Sequence, residues 1–296
     1  MSAVEQAVFP PEIGQLVRGL PVRHLDATVS IRERLKICSG TEPIVAPNYA
    51  DGARVPIQDW RGLTDVEFAL LQDIGQTDDL AESIYIWRMP DAINQHVECF
   101  RRSISRHNDS SLIEPLSHTP EWLRGKKKLV DLVTRSGVDI GTKAFGHYTR
   151  PAGLVVTSVG GQGLMVGLHI DSWFNGTLHN RSSGLPNRLC LNLGPESRYF
   201  MFMNLPLSVM RQWLDDTSDD PVAFPARFMA AFPNYPVFRL EVAPGEGYIA
   251  PTEIMIHDAT TMAKTKIDAS FTILGNFDRH VVENLKNETE RENRAV

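Results

Sequence analysis

The chain has 296 residues, of which 42% are hydrophobic and 22% charged, with a formal net charge of −6. That length and apolar share can bury a large core, and the acidic balance disfavours nucleic acid or an anionic membrane as a partner. Three widely spaced cysteines, Cys38, Cys99 and Cys190, form no C-x-x-C motif, which fits free thiols and a cytoplasmic location rather than a disulfide scaffold. No basic-then-apolar leader opens the sequence and no run approaches the ~18 apolar residues of a membrane span, so neither a signal peptide nor a membrane segment is expected.

In chain order, residues 29–37 look helix-like, with Asp26 as a candidate cap. Residues 63–74 carry Val66, Phe68, Leu70, Leu71 and Ile74 at helical spacing, and residues 91–104 repeat the pattern behind Pro90. Residues 120–136 form a third helix candidate, with Thr119 to cap it, Pro120 in its first turn and Gly137 to end it. The first 139 residues therefore read as a mainly helical region.

The pattern changes from about residue 140. Short runs rich in Val, Ile, Phe and Tyr, punctuated by Gly and Pro, predict strands at 142–148, 153–158, 164–170, 188–193, 198–203, 237–242, 247–250, 254–257 and 270–277. A helical insertion is expected over about 205–232, and the charged tail 283–296 reads as a frayed helix or disordered. The expected fold class is α+β, with a β sandwich or barrel over 140–282 and the helical region 1–139 packed on it.

Within the β region, His169-Ile170-Asp171 closes the apolar run that begins at Leu164. Residues two apart on a strand project from one face, so this imidazole and carboxylate can share a metal. The spacing alone decides nothing, because it recurs at His24/Asp26, His96/Glu98 and His107/Asp109. His96 and Glu98 sit in a predicted helix and point about 200° apart. His107 and Asp109 fall in a polar turn-like stretch, and Asp26 suits a cap. A third ligand must come from another strand, and His257 follows the apolar run 254–256. Two histidines and a carboxylate form the facial triad of non-heme Fe(II) oxygenases. His147 and His179 are the alternative ligands.

An H-x-D pair followed 88 residues later by a histidine, in a β-rich region behind helices, resembles the 2-oxoglutarate-dependent Fe(II) oxygenases. The resemblance covers residues 140–280. It implies a double-stranded β-helix, also called a jelly roll and shared with cupins, and Fe(II) held by His169, Asp171 and His257. It also implies 2-oxoglutarate as co-substrate, converted with O₂ to succinate and CO₂ while an unactivated C–H is hydroxylated. The expected substrate is a small molecule, an amino acid or natural-product intermediate. Presence of Asp171 favours hydroxylation or desaturation over halogenation.

The resemblance further implies a basic partner for the far carboxylate of 2-oxoglutarate, since an unpaired buried charge is costly. Arg188, which opens the run 188–193, is the first candidate and Lys266 the second; Arg198 and Lys264 stand nearby in sequence. The Arg-x-Ser pattern common in the family is replaced here by Asp268-Ala269-Ser270. Trp173, Asn175 and Asn192 are the candidate substrate contacts. Two other readings stay open: a cupin-type metal enzyme that does not use 2-oxoglutarate, and a non-catalytic β-sandwich binding protein.

Overall fold

The computed structural model describes residues 16–26, 28–72, 83–139, 145–173, 177–181, 187–215 and 218–294. The strands of the first part are β1 (Val22–His24), β2 (Leu35–Cys38), β3 (Thr41–Pro43), β4 (Arg54–Pro56), β5 (Arg61–Gly62) and β6 (Ile84–Arg88). Those of the second are β7 (Phe145–Arg150), β8 (Asn187–Asn192), β9 (Arg198–Phe202), β10 (Val237–Val242), β11 (Glu246–Ala250), β12 (His257–Thr260) and β13 (Asp268–Gly275). Seven α-helices occur among the described residues: α1 (Asp65–Leu70), α2 (Asp91–His107), α3 (Ile113–Ser117), α4 (Pro120–Arg135), α5 (Leu207–Leu214), α6 (Ala223–Ala231) and α7 (Arg279–Arg294). The fold class is α+β. No helix among the described residues is long and apolar enough to cross a membrane.

Two sheets carry the structure. One runs β1-β6-β11-β8-β13-β7 and the other β12-β9-β10-β2-β5; β3 and β4 form a separate ribbon. All neighbours pair antiparallel except β1 with β6.

Period-two alternation sorts the side chains into three cores. Ile84, Ile86, Tyr248 and Ala250 of the first sheet meet Phe200, Phe202, Phe238 and Leu240 of the second. Phe200 stacks on Tyr248 with ring centroids 4.1 Å apart. The opposite face of the first sheet, through Trp87, Leu189, Leu191, Phe271 and Ile273, buries the apolar stripes of α2, α4 and α7. The outer face of the second sheet, through Met201 and Val237, packs on α5 and α6.

The expected helices at 91–104 and 120–136 form, the latter capped by the Thr119 hydroxyl accepting from the Trp122 amide at 3.3 Å. The helical insertion appears as α5 and α6. The described residues of the N-terminal region are not mainly helical, because β1 and β6 extend the first sheet and β2 and β5 the second. Residues 29–37 give one tight turn and then β2, where Leu35 and Ile37 are buried on either side of exposed Lys36; that alternation is a strand period. The boundary expected near residue 140 therefore cuts across both sheets.

The tail is an ordered helix: Val281, Val282 and Leu285 of α7 are buried, and Arg135 pairs with Glu288 and Glu292 at 3.1 and 2.7 Å. Strands expected at 153–158 and 164–170 reduce to isolated bridges, Val159–Met165, Tyr49–Met165 and His169–His257. Gly163 and Gly167 there adopt positive φ, which interrupts regular pleating.

Candidate metal centre

The H-x-D stretch is steered by its neighbours before it reaches the site. Gly167 has φ +75°, and a Cβ there would lie 2.5 Å from the Arg54 carbonyl oxygen. This close passage lets the Leu168 amide donate to Arg54 at 2.9 Å. His169 and His257 then bond each other's backbone, and the Asp171 amide donates to the Thr252 carbonyl at 3.0 Å. Leu168 and Ile170 sink into the core beneath α5 and α6, so His169 and Asp171 turn to the other side.

Nε2 of His169 lies 3.5 Å from Asp171 Oδ1, and Nε2 of His257 lies 3.6 Å from Oδ2. The candidate ligand atoms of all three residues lie within 4.8 Å of one another. The two rings are 4.7 Å apart, centroid to centroid. Each Nδ1 faces the carbonyl two residues before it, Gly167 O at 3.0 Å and Met255 O at 3.2 Å. A carbonyl only accepts, so Nδ1 carries the hydrogen and Nε2 presents a lone pair to the shared space.

His257 Nε2 and Asp171 Oδ2 are buried without a hydrogen-bond partner. Arg188 Nη2 stands 2.8 Å from that oxygen, close enough for charge pairing but outside hydrogen-bond geometry. Unsatisfied buried acceptor lone pairs of this kind are costly unless an ion completes them. Two imidazoles and one carboxylate therefore fit a divalent transition metal.

The protonation states of His257 and Asp171 agree with that fit, and His169 would give up a proton to a metal. Burial pushes the His257 imidazole down to about 3, leaving it neutral as a ligand must be. Burial also opposes charge on His169, but its contact to Asp171 and the charges of Asp258 and Asp171 outweigh this and raise its pKa. Burial works against ionisation of Asp171 as well, and Arg188 with the two imidazoles overrides it, holding the carboxyl far below the usual range.

Two supports lie behind the ligands. Arg181 donates to the Asp171 carbonyl at 2.5 Å and the Glu253 carbonyl at 3.1 Å, while Glu253 accepts from the Trp173 amide at 2.7 Å. Asp258 accepts from the Thr157 amide and from the Thr157 and Ser158 hydroxyls, tying residues 157–158 beside His169.

A cavity of about 510 Å³ opens on His169 and Asp171. Its floor is the polar side of the first sheet: Arg188 and Cys190 from β8, Asp268, Ser270 and Thr272 from β13, and Tyr148 and Arg150 from β7. Arg198 enters from β9 and pairs with Asp268, which also stands 3.2 Å from buried Lys264.

The expected site residues are placed unequally. Arg188 lies beside the triad, with Trp173 over its guanidinium at 5.4 Å, and Trp173 is 48% exposed at the cavity edge. Lys266 does not line the cavity; it sits in the turn before β13, where its amide donates to Glu196 at 2.9 Å. Lys264 is the lysine that turns inward. Asn192 is not a substrate contact: its amide group donates to the Glu196 and Val242 carbonyls and accepts from the Gly194 amide, which spends the side chain on bracing a turn. Asn175 lies outside the described residues. His147 is boxed by Phe100, Trp122 and Phe271, away from the triad, and burial pushes it down to about 4.

Sequence reasoning missed Arg150, Ser270, Thr272 and the Arg181–Glu253 brace. A signal for the floor did exist: Asp268, Ser270 and Thr272 alternate with Ala269, Phe271 and Ile273. Compared with known proteins, the chain matches no family model and no curated sequence.

Proposed function

We propose that this chain is an Fe(II)- and 2-oxoglutarate-dependent oxygenase that hydroxylates an unactivated C–H of a small molecule. The observation that carries the reading is the convergence of His169, Asp171 and His257 beside an open polar cavity. Three ligands gathered on one side leave the opposite side of a bound metal to the cavity.

Strand order supports a jelly-roll core. The antiparallel series β7-β13-β8-β11 in one sheet faces the series 165–171, β12, β9, β10 in the other, with the His169–His257 bridge joining the first two of the latter. Successive chain segments cross between the sheets in the manner of two Greek keys.

The chemistry supplied by the bound metal and co-substrate is O₂ activation, with 2-oxoglutarate ending as succinate and CO₂. The protein's own part is positional. The Nδ1–carbonyl bonds of both histidines fix the ring planes, and Arg181 with Glu253 anchors the backbone after Asp171. Arg188, packed under Trp173, is the proposed holder of the co-substrate carboxylate. The cavity floor and mouth orient the substrate C–H toward the metal.

The test is an anaerobic titration of Fe(II) and 2-oxoglutarate, watching for the visible charge-transfer absorption of the chelate, with His169→Ala as control. The band should appear in the wild-type chain and vanish in the variant. Metal binding without the band would replace this reading with a cupin-type enzyme; absence of metal binding would leave a binding protein.

A further inference from the structure

Besides Arg188, assigned to the co-substrate, Arg198 and Arg150 line the cavity, and Arg150 has no acid of its own. Arg150 projects from the edge strand β7 into the space beside the triad. Its Nε donates to the Thr157 carbonyl at 2.5 Å and its Nη1 to the Thr149 carbonyl at 2.8 Å. These neutral acceptors hold the guanidinium in place without cancelling its charge. No carboxylate among the described residues pairs with it. The acid opposite it in register, Asp268, is already engaged by Arg198 and Lys264. Arg150 thus stands without an acid on a floor where Asp268 is already shared by two other cations.

A hydroxyl opposite Tyr148, two residues along β13 from the position paired with Arg150, lacks a partner. Ser270 Oγ, on the neighbouring strand and 1% exposed as a residue, is buried with no hydrogen bond, and Ser270 lines the cavity. The mouth is different in kind: Val159, Pro221, Val222 and Pro225 line it, and Val222 is 80% exposed. A ligand that satisfies both ends carries an anionic head and an apolar body.

We infer that the substrate is an apolar-bodied carboxylic acid whose carboxylate is received by Arg150 and Ser270, with its body against Val159, Val222 and Pro225. This rests on the oxygenase reading for the word substrate, but not for the binding. Arg150 is a specificity-determining residue on this view, and Nη2 is the donor left for the ligand. The carboxylate end is held at β7 and β13, which leaves the apolar carbons to pass the metal.

The experiment uses 4-phenylbutanoate and 4-phenylbutanamide, which share a body and differ in charge. Calorimetry measures their binding to the full chain, both metal-free and loaded anaerobically with Fe(II) and 2-oxoglutarate. The acid should bind about tenfold tighter than the amide or better, the range of a charge-assisted hydrogen bond. Arg150→Gln should bring the two within about threefold, without weakening the amide or the visible band. Arg150→Lys, which keeps the charge, should retain most of the preference, and an unchanged melting temperature shows that the variants fold. Equal binding of acid and amide, failure of both to bind, or a preference that survives in Arg150→Gln overturns the inference. So does loss of the band in Arg150→Gln, which would make Arg150 the co-substrate anchor. Failure of the oxygenase reading looks different: no band forms, yet the acid is still preferred in an Arg150-dependent way.

Discussion

His169 and His257 are joined through their backbones before they share anything through their side chains: each amide donates to the other's carbonyl, at 3.0 and 2.8 Å. This two-residue bridge brings together positions 88 apart in sequence. It sets their rings 4.7 Å apart on the side where Asp171 waits. Adding Mn(II) at about a hundredfold excess over its Kd should stabilise the protein by about 2.7 kcal/mol, a melting shift of roughly 4–8 °C. Asp171→Ala and His257→Ala should each abolish the shift in differential scanning calorimetry. A shift that persists in both would move the metal elsewhere.

Arg188 and Lys266 make opposite predictions. Arg188→Met should weaken 2-oxoglutarate binding about tenfold or more, because a charged hydrogen-bonding partner is lost. Lys266→Met should leave it unchanged, since Lys266 does not line the cavity. Arg198→Met is the informative third variant in the same titration. If it, and not Arg188→Met, weakens binding, the co-substrate lies at the Asp268 end.

Gly167 tests how the ligand strand is aimed. Gly167→Ala puts a Cβ 2.5 Å from the Arg54 carbonyl oxygen at φ +75°, and the Gly167 carbonyl holds His169 Nδ1. The expected cost is at least about 2 kcal/mol in urea unfolding, with weakened metal affinity. Gly161→Ala is the control: an added Cβ there meets nothing within 4 Å, so its effect should stay within about 0.5 kcal/mol.

Asp268 pairs with both Arg198 and Lys264. Asp268→Ala leaves two buried cations facing each other and should destabilise by about 3–5 kcal/mol. Combining it with Arg198→Met should cost less than the sum of the single variants, because the pair is one unit. Additive losses in denaturant melts would deny the coupling.

Glu246 gives a pH signature remote from the centre. Burial opposes its ionisation, but the His24 imidazole 3.8 Å away and hydrogen bonds from Arg34 and the Ala243 amide hold its pKa down at about 2. The folded state therefore binds fewer protons here than the unfolded state, and stability rises with pH across the interval. The contribution, of order 2–3 kcal/mol, is complete above pH about 4.5 and disappears as pH falls toward about 2. Glu246→Gln should flatten that part of the stability curve in acid titrations monitored by circular dichroism.

Local pattern carried a good part of this molecule. The stripes of α2 and α4, the short apolar runs of β8, β9 and β11 between turn residues, and the same-side placement of His169 and Asp171 all follow from local pattern that backbone geometry translates directly. Those strand runs and Ile84-Tyr-Ile-Trp87 of β6 are continuous rather than alternating, because the strands are buried on both faces. Nor does spacing reveal pairing: Arg88 of β6 lies opposite Glu246 of β11, 158 residues further along the chain.

Charge is where local pattern runs out most completely. Nothing in Lys264-Thr-Lys266 says that the first lysine is buried against Asp268 and the second is not, or that Arg181 reaches back to clamp Asp171. The sequence by itself determined which residues could serve as metal ligands and which faces were apolar. Only the tertiary structure decided which charges share the cavity, because the Coulomb energy of a side chain depends on distance and burial, and both are set by strands that meet only after folding.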